Sequence, residues 1–396
     1  MRRLILLLCF IFTMFANMMA GEHRTVIISL DGCRWDYPLM YDTPNLDEIG
    51  KTGVSGIMQP SFPSLTFPNH YTLATGLVPD HHGIIGNTFY DKESGLTFSL
   101  GNKQTKQDPR FWGGEPIWIT AKKQGKRVGV VYWPGSDVAI QGTYPDYYFD
   151  YEKKPLLTFT ERIAEIEHML KMPEDKSPQL IMAYFDEPDH SGHSFGPESK
   201  QTRKAIETLD CLIGQLWNGI KRMHDAGDIN LIITSDHGMG RNSKQRIIHV
   251  KDYLDKNWYE KVTYGFPTMI APKKGCEAKI LKALQNVPHL RAYKKTEVPK
   301  YLNYGTNKNI DGIVVITDIG FVTGEGDRVL NGNHGFDPTY GDMNVIFRAV
   351  GPDFKSGYTK EETFKNVNVY PLLNHLLGTT PAPCDGNVDE VKDLLK

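Results

Sequence analysis

The sequence predicts an α/β fold, a doubly wound, mostly parallel sheet flanked by helices, with a smaller inserted lobe. Three observations predict it. Short β-branched runs recur ahead of polar turns, segments with helical spacing separate them, and carboxylates and histidines gather just beyond the runs. The runs are Thr25 to Leu30, Val128 to Tyr132, Leu180 to Phe185 and Leu231 to Ser235, predominantly apolar and β-branched as strands buried on both faces are. Helical patterns fall between them at Glu115 to Gln124, Thr158 to Met172 and Lys200 to His224, the last with Ile206, Leu209, Ile213 and Leu216 on one stripe. Strand and helix in alternation give a doubly wound sheet. Residues 253–327 are choppier, rich in Lys, Gly and Pro, and read as the smaller lobe.

The start of the chain sets the compartment. Arg2 and Arg3 precede an apolar run from Leu4 to about Phe15, and the small residue Ala20 follows, which predicts a secretory signal peptide over residues 1–20. The run is too short for a membrane span. A lipid anchor at Cys9 is disfavoured because Leu6, Leu7 and Leu8 precede it where a small residue is needed. Residues 21–396 then form a single catalytic domain, exported to a periplasm or secreted, and expected as a monomer. Loss of Arg2 and Arg3 takes the formal charge from −2 to −4, and no long basic block remains, so no nucleic-acid-binding surface is evident. Cys33, Cys211, Cys276 and Cys384 are widely spaced, with no CxxC pair, and leave room for one or two disulfides of unreadable pairing.

The chemistry lies at the strand ends. Asp31 ends the first run, Asp189 closely follows another, and Asp236 and His237 end a third, so the fold brings them to the sheet edge where ligands gather. Asp189 and His193 stand four apart, a spacing that lets a carboxylate and an imidazole reach one cation. Alone, that pair is more often a helix cap beside a surface histidine. Asp236-His237 beside Gly238, and His334 between Asn333 and Gly335, add ligand types in turns that pack closely. Together with Asp31 they point to a binuclear site. His190 is at most a supporting residue, and His23, His81, His82, His168, His224 and His289 read as surface or structural.

Thr66 precedes a helical stretch that ends at Gly76, with Pro68 in the first turn. Two readings stay open for it. A threonine at or near an N-cap can simply cap the helix. The same unpaired amides also attract phosphate, and a nearby cation could make the hydroxyl a nucleophile.

Seven motifs carry a family resemblance: Thr66-Phe67-Pro68-Asn69-His70-Tyr71, Gly83-Ile84-Ile85-Gly86-Asn87, Gly114-Glu115-Pro116-Ile117-Trp118, Trp133-Pro134-Gly135-Ser136, Glu187-Pro188-Asp189, Ser235-Asp236-His237-Gly238-Met239 and Asn333-His334-Gly335. Across nearly the whole mature chain, the sequence resembles the nucleotide pyrophosphatase/phosphodiesterases of the alkaline phosphatase superfamily, in their bacterial single-domain form. The resemblance implies an alkaline-phosphatase-like fold and two Zn2+ ions. One is held by Asp189, His193 and His334, and the other by Asp31, Asp236 and His237 beside Thr66. It implies that Thr66 forms a phospho-threonine intermediate, that Asn87 and the Thr66 amide hold a phosphate oxygen, and that nucleoside 5'-monophosphates leave. Phe67 would stack on one face of the base, with Tyr151, or failing it Tyr148, on the other. The expected partner is a nucleotide or another small phosphodiester.

Two rivals remain. A phosphomonoesterase shares the metal ligands but needs extra positive groups on the phosphate. None is obvious near Thr66 and Asn87, although the aim of Arg34 is not readable. A binding protein that lost its chemistry conflicts with retention of Thr66 and all six ligands. A sulfatase is disfavoured because Arg34-Trp35 follow Cys33 where a Cys-x-Pro-x-Arg pattern is required.

Overall fold

The computed structural model describes residues 23–326 and 329–396. The expected signal peptide and Cys9 lie outside them. Eight strands form the main sheet in the order Tyr358–Lys365, Val54–Gln59, Val345–Val350, Ile229–Thr234, Arg24–Leu30, Leu180–Phe185, Val128–Val131 and Tyr147–Tyr148. The expected runs supply its centre, and every pairing among them is parallel. Val345–Val350 departs from that pattern and runs antiparallel to both its neighbours.

Buried strands explain the apolar runs. Val26, Ile27 and Ile28 are fully buried, and their side chains alternate between two cores, one on each face of the sheet. Helices Thr66–Thr75, Ile117–Lys123 and Val369–Leu377 cover one face, and Pro44–Thr52, Phe159–Leu170 and Lys200–Lys221 cover the other. Truncating a residue such as Ile27 to alanine costs roughly 2–5 kcal/mol at such a site.

Helix ends are tighter than periodicity suggests, for local reasons. The first helix of that expected set begins at Ile117 because Pro116 occupies its cap. The second begins at Phe159, where Thr158 and Glu161 form a reciprocal capping box. The third ends at Lys221, short of His224.

A second sheet spans residues 259–317, with four antiparallel strands in the order Tyr259–Thr263, Thr268–Pro272, Ile313–Thr317 and Leu290–Lys294. Ile270, Ile313 and Val315 pack on Ile280 and Leu284 of helix Glu277–Leu284, and Met269, Val314 and Ile316 join a core of the main sheet. The four cysteines of the described residues are free thiols, which corrects the disulfide expectation. Cys33 is buried in the core, where burial pushes its thiol far above the ordinary range. Among the described residues, no helix is long and apolar enough to cross a membrane.

Candidate active site

Strand register builds the site. Leu30 pairs with Phe185 and Ser29 with Thr234 in neighbouring parallel strands, so the loops that follow all leave from one edge. The Asp31 amide donates to the Phe185 carbonyl at 2.9 Å, and the Asp189 amide donates to the Asp31 carbonyl at 2.9 Å. Asp189 opens helix Asp189–Phe195, which carries His193 one turn on. His334 follows the short strand Gly332–Asn333, paired with Gly240–Arg241. Glycine is required beside these ligands: a Cβ on Gly238 would lie 2.0 Å from the Asp342 carbonyl oxygen, and Gly32 turns at φ +70° against Asp189.

Two triads result, Asp189/His193/His334 and Asp31/Asp236/His237, each with its ligand atoms within 4.8 Å of one another. His237 Nε2 lies 3.3 Å from Asp31 Oδ1 and 3.1 Å from Asp236 Oδ2. Asp189 Oδ1 lies 3.3 Å from His193 Nε2 and 3.4 Å from His334 Nε2. The His237 and His334 rings stack at 3.5 Å, which joins the triads into one centre.

Proton inventory tests whether these residues fit metal ions. His193 Nδ1 donates to the Gly332 carbonyl, His334 Nδ1 to that of Ser64 and His237 Nδ1 to that of Gly238, at 2.8–2.9 Å. Each ring therefore turns an Nε2 lone pair inward. His193 Nε2 and His334 Nε2 face each other at 3.1 Å, where two lone pairs repel unless a positive charge lies between. Asp31 Oδ1, Asp189 Oδ1 and Asp236 Oδ2 are buried and lack hydrogen bonds of proper geometry. Three orphaned carboxylate oxygens and three inward lone pairs are the donor set of a two-cation site, with the mixed oxygen and nitrogen ligands that suit zinc.

The electrostatics agree. Burial, then the Asp236 and Asp189 carboxylates, hold the Asp31 carboxyl well above its ordinary range. Burial pushes Asp189 up to about 7. Burial acts in the same direction on Asp236, but His237 and His70 outweigh it and hold that carboxyl below its usual value. Burial, then His237 and His193, holds His334 far below, and burial lowers His193 as well.

Thr66 is the first residue of helix Thr66–Thr75, Leu65 holds the cap position, and no side chain caps this end. The capping alternative for Thr66 is thereby corrected. Its Oγ1 instead lies 3.1 Å from His237 Nε2, to which the hydroxyl can donate. Pro68 has no N–H and the Asn69 amide donates to Leu65, so the Thr66 and Phe67 amides are the first-turn donors without helical partners.

Several supporting residues escaped the sequence reading. His70, fully buried, has Nδ1 2.9 Å from the Thr66 carbonyl oxygen and 3.2 Å from Asp236 Oδ2, and Nε2 2.8 Å from Ser29 Oγ. Tyr184 donates to Asp31 Oδ2 at 2.6 Å, and Ser235 donates to Asp236. The four-residue step from Thr66 to His70 was the available signal. His190 is exposed, and Arg34 is committed to Asp36 at 2.6 Å and to the Met239 carbonyl, among further acidic neighbours.

Two cavities flank Thr66. One, of about 200 Å³, is lined by its neighbour Phe67 with Tyr132, Trp133, Tyr151, Tyr184 and Lys106. Tyr151 thus shares a cavity with Phe67. Tyr148 does not line this cavity: its ring is 40% exposed and stacks on Tyr144 at 4.8 Å, because its edge strand turns it outward. The other cavity, of about 190 Å³, is lined by the other neighbour, Leu65, with Asn87, His193, His334, Tyr264 and Phe266. Asn87 Oδ1 is buried there without a hydrogen-bond partner.

Comparison with known proteins adds four findings. Residues 25–337 match the model of the family described as type I phosphodiesterase / nucleotide pyrophosphatase. Human ectonucleotide pyrophosphatase/phosphodiesterase family member 1 is 36% identical over 389 residues, covering 94% of this chain, which spans only 42% of that longer protein. Mouse family member 7 is 36% identical over 393 residues, covering 95% of this chain and 88% of that protein. A solved structure of murine ectonucleotide pyrophosphatase/phosphodiesterase 5, an inactive threonine-to-alanine variant in complex with AMP, superposes with a TM-score of 0.88 at 37% identity, covering 94% of this chain and all of that one.

Proposed function

The chain belongs to the type I phosphodiesterase / nucleotide pyrophosphatase family, and from that premise we propose that it hydrolyses phosphodiester and pyrophosphate bonds in nucleotides, with Thr66 as nucleophile, and releases nucleoside 5'-monophosphates. One observation carries the reading: the inward lone pairs and orphaned carboxylates converge beside a hydroxyl at a helix N-terminus. Asp189, His193 and His334 would hold one Zn2+, and Asp31, Asp236 and His237 the other. Bound there, the ions supply Lewis acidity, which favours the alkoxide over the hydroxyl and offsets charge on the phosphate.

The chain's own residues divide the remaining work. Thr66 Oγ attacks phosphorus in line, the bond to the leaving oxygen breaks, and the nucleoside phosphoryl group rests on Thr66. Water then attacks phosphorus from the vacated side, frees Thr66 and releases the monophosphate. The Thr66 amide and the Asn87 side-chain amide hold a non-bridging oxygen, the role expected of groups aimed at developing charge. Phe67 and Tyr151 clasp the base in the cavity they line. A monoesterase would need a further cation on the phosphate, and Arg34 is engaged with acidic partners. We place the mature protein outside the cytoplasm, with residues 21–396 as one catalytic domain.

Metal analysis and assay of Thr66→Ala test the proposal. Two zinc ions per chain are expected in both forms, with turnover lost only in the variant. Bis-p-nitrophenyl phosphate and p-nitrophenyl thymidine 5'-monophosphate should be cleaved ahead of p-nitrophenyl phosphate. Preference for the last, or a protein without zinc and without diesterase activity, contradicts the reading.

A further inference from the structure

We propose that the cavity on the Leu65 side of Thr66 receives the leaving half of the substrate and selects leaving halves that carry a planar, uncharged ring, as the second nucleoside of a dinucleotide does. The proposal rests on the nucleotide phosphodiesterase reading. Leu65 and Phe67 flank Thr66 in sequence yet line different cavities, so the two substituents of a phosphate held at Thr66 have separate places to go. With the base between Phe67 and Tyr151, the other substituent meets the second cavity.

One wall of that cavity is apolar and aromatic, and Asn87, Thr88, Asn333, His193 and His334 supply its polar side. Tyr264, Phe266 and Pro267 come from the connection between strands Tyr259–Thr263 and Thr268–Pro272, and Leu65, Ile85 and Met269 complete it. Phe266 is fixed in place: it meets Phe336 edge-on at 4.8 Å, and a Cβ on Gly335 would lie 2.4 Å from its own Cβ. Tyr264 presents its ring to the cavity, while its hydroxyl is buried in the protein. Among the described residues, no lysine or arginine lines the cavity. Lys251, over the Tyr264 ring at 5.7 Å, is paired with Glu325. A rigid aromatic wall suits a base-like ring, which stacks at little cost in freedom.

The test compares two esters of one nucleoside 5'-monophosphate, a dinucleoside monophosphate and the methyl ester, whose leaving half fills no cavity. The ratio of their kcat/KM values should fall about tenfold in Tyr264→Ala and in Phe266→Ala, the scale of one lost aromatic stack. Tyr264→Phe keeps the ring and should keep most of the preference. A ratio unchanged in both alanine variants, with both rates falling together or neither falling, overturns the proposal while the phosphodiesterase reading stands. Wild-type protein that cleaves neither ester removes the phosphodiesterase reading itself.

Discussion

The two triads are alike in ligand type and unlike in setting. Asp236 and His237 are fully buried at the ends of central strands, whereas Asp189 and His193 keep side-chain exposures of 17% and 21% on a short helix. The buried triad is the one beside Thr66. Low dielectric strengthens every charge interaction there, so under the proposed mechanism that triad acts on Thr66. The more open triad lines the cavity on the Leu65 side through His193 and His334.

Breaking the triads one at a time sharpens this difference most. Asp236→Ala should lower kcat/KM on the order of a thousandfold, the scale of a lost electrostatic stabiliser in a dry site. His193→Ala should lose less and recover in part with excess zinc, because an open site admits water as a substitute ligand. Equal losses, neither rescued by zinc, would erase the distinction. His70→Asn acts through Asp236 and the Thr66 carbonyl, so a loss of about 10- to 100-fold is expected, with weakened zinc retention by metal analysis. Tyr151→Ala should raise KM for a nucleotide substrate about tenfold with a smaller change in kcat, and Tyr148→Ala should change neither.

The smallest effect is on pH. In the metal-free protein, Asp31 and Asp189 have raised folded-state values, so stability falls as pH rises from about 4 through the folded value, about 7 for Asp189. His193 and His334 are lowered, so their contribution is present above about 6.5 and is lost as pH falls toward the folded value. Zinc displaces protons from the two carboxyls. The rise in Tm on adding zinc should therefore be larger at about pH 8 than at about pH 5.5, and a rise that shrinks with pH would contradict the assignment.

The same contrast separates what the sequence made legible from what it hid. Asp31, Asp236 and His237 follow apolar runs whose period and length announce strands, and strand ends converge by the rules of a parallel sheet. His334 and Asn87 sit in short turns: the glycines flanking the first singled it out, and the motif resemblance alone singled out the second. His70 was hidden inside a helix where a histidine has many bland uses. Tyr264 and Phe266 were hidden because the Lys, Gly and Pro of their segment conceal a sheet, and the wall they form depends on contacts far along the chain. The aromatic run Tyr147 to Tyr151 left the choice of ring open, since neighbouring residues on an edge strand point opposite ways and only packing decides which one faces inward.

The claim that organises all of this is that Thr66 forms a covalent bond to phosphorus. Hydrolysis of a nucleoside 5'-phosphorothioate diester of known chirality, run in heavy-oxygen water, measures it directly. Two in-line displacements predict retention of configuration at phosphorus, and inversion would mean that water attacks in a single step and that Thr66 is not the nucleophile.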